Sequence, residues 1–155
     1  MTKHKLNGAW VAHRVAMLKS PAYQMLGLHA RRILDRIEIE HMDHAGKDNG
    51  RLIVPYDDLI ERGGVGRRFI APALRELVAL GFTEIKAGCG GNGEFRAPNV
   101  YRLTYLETDR APTDEWKRIT SIREARTVRS QARAGGQKRR THSRARPVCI
   151  NAESA

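Results

Sequence analysis

Across residues 54–85 the apolar positions change their spacing twice, and the rest of the chain is arranged around that stretch. Tyr56, Leu59 and Ile60 form a short stripe at helical spacing, with Asp57 and Asp58 in its first turn, where the positive end of a helix dipole favours carboxylates. Gly63 and Gly64 stop it, because glycine takes positive φ cheaply. Ile70, Ala73, Leu74, Leu77, Val78 and Leu80 then recur at three and four residues, the mark of one face of a second helix, which Gly81 ends. Arg67, Arg68, Ala71, Pro72 and Arg75 fall on the opposite, wet side.

The same reading extends outward. Ser20-Pro21 predicts a helix start, with serine as the cap and proline at the first helical position. Residues 28–45 give the longest helix, with Ala30, Ile33, Leu34, Ile37 and His41 or Met42 inward and Arg31, Arg32, Asp35 and Arg36 outward. Residues 46–50 (GKDNG) end it, and RLIV at 51–54 reads as a strand. Residues 82–87 and 99–106 read as two more strands joined by the glycine-rich GCGGNG. Residues 10–18 fit neither period and are expected as a short strand or helix packed on the domain. Residues 113–116 are expected to form a short turn that docks Trp116. Ser121 and Glu124 have capping-box spacing and open a helix to about residue 134. Beyond it no periodicity remains, and residues 135–155 are expected to be disordered.

The order helix, strand, helix, helix, strand, loop, strand resembles a winged helix-turn-helix DNA-binding domain. The residues that carry the likeness are Leu59, Gly63 or Gly64, Ile70, Ala73, Leu74, Leu77, Leu80, Gly81 and Phe82. A helical hairpin from any bundle would show the same apolar spacing; the flanking strands separate the two. SPAYQML, NGRL, APALRELVALGF, FRAPNVYRLTY and PTDEWKRI, spread over residues 10–119, are similar to small winged-helix proteins of bacterial mobile elements and prophages. The expected fold is mainly α with a small antiparallel sheet (α+β): an arm at 1–19, the winged helix at 20–112, a basic helix at 113–134 and a disordered basic tail at 135–155.

What the resemblance implies is sequence-specific binding of double-stranded DNA by a regulator, with Arg67, Arg68, Ala71 and Arg75 reading the major groove and Lys86, Arg96 and Arg102 on the wing. Arginine suits that role because it bonds guanine O6 and N7 together. Pro72 departs from typical recognition helices. Either the helix kinks at Pro72, or it starts near Ala71 with Pro72 in its first turn and leaves Arg67 and Arg68 on a loop.

Charge adds a second binding element. The chain has 155 residues and a net charge of +11, yet residues 117–146 hold eleven Lys and Arg against the single acidic Glu124, and the remainder is close to neutral. A basic segment with few large apolar residues points to nucleic acid rather than membrane. Arg123, Arg126, Arg129, Arg133, Lys138, Arg139, Arg140, Arg144 and Arg146 are its expected contacts to the DNA backbone. Alternatives are an origin-binding replication or partition factor, and an RNA-binding protein that uses the arginine-rich helix. A homodimer through residues 22–25 or 121–134 is compatible with the sequence, although no heptad pattern supports it.

Other chemistries find less footing. Cys89 and Cys149 make no metal-ligand or disulfide framework, which fits a reducing, cytoplasmic, nucleoid-associated setting. Glu38, Glu40, His41 and His44 stand at helical spacings suited to a metal, but no second ligand cluster accompanies them. No Ser-His-Asp or Cys-His signature is present, the glycine-rich loop runs into a strand rather than a phosphate-binding helix, and no apolar run reaches membrane-spanning length. Neither enzyme activity nor a cofactor is expected.

Overall fold

Ser20 starts the folded chain much as its side chain dictates. Its hydroxyl accepts from the Tyr23 amide at 3.2 Å and donates to the Met17 carbonyl at 2.7 Å, joining a one-turn helix α1 (Val15–Leu18) to α2 (Pro21–Gln24). The structure, a computed structural model, describes residues 7–88, 98–107 and 110–135. After α2 come α3 (Leu28–Asp43), β1 (Leu52–Ile53), α4 (Tyr56–Glu61), α5 (Arg67–Ala79), β2 (Thr83–Lys86), β3 (Val100–Leu103), a 3-10 turn (Glu115–Arg118) and α6 (Ile122–Ala134). The fold is α+β: helices with one small antiparallel sheet of order β1-β3-β2.

Register in that sheet follows from burial. Tyr101 pairs with Leu52 on one side and Ile85 on the other, and Leu103 pairs with Thr83, so β3 is buried from Tyr101 to Leu103. β1 has two residues only, and Asn49 continues its role with a side chain. The Asn49 amide accepts from the Leu103 N–H at 2.7 Å and donates to the Leu103 and Leu106 carbonyls at 2.9 and 3.1 Å, the pattern a neighbouring strand would supply.

Between α3, α5 and the sheet lie Ile33, Ile37, Leu59, Ile70, Leu77, Leu80, Phe82 and Tyr101. Each such side chain contributes about 1.5 to 3 kcal/mol by leaving water. The α3 face is as the period predicts, except that Arg36, expected outward, and Glu38 are also buried; Arg36 Nη2 lies 2.6 Å from Asp58 of α4. Asp58 takes Arg62 on its other oxygen at 3.1 Å, which fixes α4 against α3.

α5 runs unbroken through Pro72 from its N-cap Gly66. That excludes a start at Ala71 and keeps Arg67 and Arg68 on the helix. Loss of one backbone hydrogen bond at Pro72 is outweighed by burial of Ile70, Leu74 and Leu77. Gly81 follows at φ +82°, where any Cβ would stand 2.6 Å from the backbone of Glu115 and Trp116, so only glycine fits. This close approach lets Trp116 dock in the core, as its sequence context suggests.

α6 is packed against α5 and α2, with Ala125 fully buried and Val128 against the core. Ser121 Oγ accepts from the Glu124 amide at 3.2 Å, and Glu124 returns a contact to the Thr120 N–H at 3.0 Å, one residue before the capping-box position. The glycine-rich tip, Arg96 and the tail beyond Gly135 lie outside the described residues.

Candidate nucleic-acid interface

α5 can be divided by what covers each side. Ile70, Ala73, Leu74 and Leu77 face the core. A second side carries Arg75 and Glu76 and meets α6. The third side, with Arg67, Ala71 and Val78, is open, and Arg68 stands beside it.

Arg67 is 76% exposed and lies 3.9 Å from Asp57 of α4, a separation at which an exposed pair contributes little. Arg68 rests its guanidinium 4.5 Å over the Phe69 ring, and Phe69 in turn stacks on His29 of α3 at 4.3 Å. The stack orders the stem of Arg68 while its charge stays in water. Arg32 reaches the same end of α5, where its Nη1 donates to the Gly64 carbonyl at 3.0 Å. No acidic residue stands in the first turn of α5 and no side chain caps it. Positive charge thus converges on a helix end whose dipole is also positive, an arrangement that favours an anionic partner.

Arg75 is placed differently from the sequence expectation. Its Nε donates to the Ala132 carbonyl at 2.9 Å and its Nη2 to the Arg133 carbonyl at 3.3 Å, so it caps the C-terminus of α6 and is half-buried. Arg102 also departs from it. It is 5% exposed, with Nη1 2.9 Å from Glu84 and Nη2 3.2 Å from the Ala111 carbonyl, and it braces β3 from within. Lys86, at the end of β2, is exposed as expected.

The arginines of α6 divide in two. Arg123 and Arg126 are exposed. Arg129 and Arg133 turn inward to Glu76 of α5, at 3.2 and 3.1 Å. The Arg129 contact is ionic without hydrogen-bond geometry, whereas Arg133 also donates a hydrogen bond to Glu76. Glu76 itself is 1% exposed and also accepts from the Gly27 N–H at 2.6 Å, just ahead of α3. Lys138, Arg139, Arg140, Arg144 and Arg146 lie outside the described residues. The chain matches no known protein family, no curated protein and no solved structure.

Sequence reasoning missed Glu76. Its one signal was a carboxylate at the border of an apolar helix face, four residues after Pro72 and three after Ala73. A groove of about 750 Å³ is lined by Ala71, Val78 and Ala79 of α5 together with Tyr56, Ile85 and Ala132 from its neighbours, and by Gly135.

A buried polar group stands away from this face. Glu38 of α3 accepts from the Tyr105 hydroxyl and lies 2.7 Å from His13 Nε2. Burial pushes its carboxyl above the usual carboxylate range, against the lowering by Tyr105 and His13. His44 pairs instead with Glu40 and Asp48 at 3.2 and 3.1 Å, so Glu38 and His44 point to different partners. Among the described residues no group of three His, Cys, Asp or Glu side chains is arranged to hold a metal ion, and no helix is long and apolar enough to cross a membrane.

Proposed function

We propose that this chain is a winged-helix protein that binds double-stranded DNA sequence-specifically, as a regulator carried by a bacterial mobile element or prophage. The observation that carries the reading is the first turn of α5, where Arg67 and Arg68 project from an uncapped helix N-terminus next to the α4–α5 turn. A helix presented this way suits the major groove: arginine for guanine, and Ala71 for apolar contact with a thymine methyl. The antiparallel pair β2 and β3, with Lys86 at the end of β2, is compatible with a wing.

Arg75 and Arg102 have no part in this reading, since both are committed within the protein. Arg123, Arg126 and the cations beyond Gly135 supply the contacts that do not depend on sequence. Support for an RNA-binding use of α6 is weakened by the inward pairing of Arg129 and Arg133 and the burial of Ala125.

The test is selection from a random duplex pool. A motif should be enriched, and Arg67→Ala or Arg68→Ala should each cost about 1 to 3 kcal/mol of discrimination at a base. Binding that never distinguishes one duplex from another would refute the proposal. Truncation should begin after Gly135, because removal of α6 would expose the core at Ala125 and Val128.

A further inference from the structure

A cavity of about 380 Å³ lies between residues 8–12 and the second half of α3, remote in sequence from the proposed DNA-binding turn. Trp10, Val11, Met42 and Leu106 are its large apolar lining residues, and Glu38 and His41 its titratable ones. None of the described residues that line it is a lysine or arginine. Its size is that of a small-molecule site, largely apolar with a few convergent polar groups.

Three features define what such a site accepts. The Glu38 carboxylate is 3% exposed, and its neighbours His13 and Tyr105 both engage Oε1. His41 is 6% exposed, and its Nδ1 has no hydrogen-bond partner among the described residues. Desolvation holds its imidazole below the ordinary pKa, which favours the neutral ring, in which one nitrogen can accept. Trp10 lines the cavity and is 57% exposed, so an accessible indole ring shares the cavity with the buried Glu38 carboxyl. An ammonium group gains from both the carboxylate and an indole face. An anion gains from neither and meets Glu38.

We propose that this cavity binds a small organic cation, an ammonium group attached to one apolar ring, with the ammonium at Glu38 and His41 and the ring against Trp10 and Met42. The inference stands whether or not the chain binds DNA.

Three probes of nearly equal shape separate the terms: phenethylamine, 2-phenylethanol and phenylacetate, each titrated into the full chain by calorimetry and by thermal shift. Phenethylamine should bind with a Kd on the order of a millimolar or tighter, about tenfold tighter than 2-phenylethanol, with phenylacetate weakest. Trp10→Ala, at an exposed position, should weaken phenethylamine by about tenfold without change in the fold. Glu38→Gln should erase the preference for the amine over the alcohol. If Glu38→Gln does not fold, the order of the three probes and the Trp10→Ala result still decide. No binding by any probe, phenylacetate binding as well as phenethylamine, or unchanged affinity in Trp10→Ala would overturn the proposal.

Discussion

Replacement of Glu76 by alanine tests how α6 is held. The carboxylate is 1% exposed and joins three elements: the Gly27 N–H before α3 at 2.6 Å, and Arg129 and Arg133 of α6 at 3.2 and 3.1 Å. Removal of one partner of a buried ion pair costs about 3 to 5 kcal/mol when the other is stranded without water. Here the stranded guanidinium groups are 32% and 37% exposed and can rehydrate. The mutant also no longer buries a carboxylate. A net loss of about 2 kcal/mol follows, most of it the charged hydrogen bond to Gly27 and two partly screened contacts. For a chain of this size that is roughly 4 to 8 °C in Tm. The mirror experiment, Arg129→Ala with Arg133→Ala, leaves Glu76 charged, buried and without its cations, and should cost more, about 3 to 5 kcal/mol. Thermal unfolding gives the totals, and amide hydrogen exchange locates them: α6 should lose protection before α3. A Glu76→Ala protein within about 0.5 kcal/mol of the parent, or one whose α6 amides stay as protected, would refute this account of the docking.

Other perturbations separate the remaining roles. Pro72→Ala should raise stability by roughly 1 to 3 kcal/mol in urea unfolding, since α5 passes through Pro72 and alanine restores a backbone donor; a loss would mean the helix needs the proline. Arg102→Ala should destabilise by about 2 kcal/mol, with DNA affinity of the folded protein unchanged within about twofold; a large selective loss of DNA binding would return Arg102 to the interface. Arg14 donates to both oxygens of Asp114, 2.9 Å for one of them, and the hydrogen bond with Arg14 holds that carboxyl down at about 2 from its ordinary 3.8. The folded pKa is depressed, so the stability it contributes is complete above pH 4 and is lost as pH falls through 2. In Arg14→Ala, NMR titration should find Asp114 nearer 3.8 and stability reduced at pH 5 to 7 but converging with the parent near pH 2. An unchanged titration would dismiss the pairing.

The elements were legible because local signals agree with burial. Ser20-Pro21, the capping residues Ser121 and Glu124, and the three-and-four spacing from Ile70 to Leu80 each fix a helix without help from the rest of the chain. What stayed hidden is tertiary. Periodicity assigns a charged residue to the wet side of its own helix and says nothing about a neighbour that covers that side. Arg36, Arg75, Arg102, Arg129 and Arg133 were all misplaced for this one reason: α4, α6, the sheet or, for Arg129 and Arg133, Glu76 of α5 brings a carboxylate or a carbonyl to each of them. Glu76 is the same error with opposite sign.

That correction changes how the charge of the chain can be used. Of the arginines on α5 and α6, Arg67, Arg68, Arg123 and Arg126 remain at the surface with their charge directed outward. Arg75 and Glu76, adjacent on α5, hold the C-terminal carbonyls and the arginines of α6, and so keep the end of α6 at Gly135 in the groove that Ala71 and Val78 also line. Under the DNA reading, the end of α6 at Gly135 therefore lies on the same side of the molecule as the reading helix. Each phosphate contact adds about 0.9 to the slope of log affinity against log salt. Truncation after Gly135 should lower that slope by several units and leave the enriched motif unchanged. Release of α6 by Glu76→Ala should lower affinity with little change in slope, because the charges are all still present but no longer held beside α5. A slope that fell equally in both would mean that α6 places nothing.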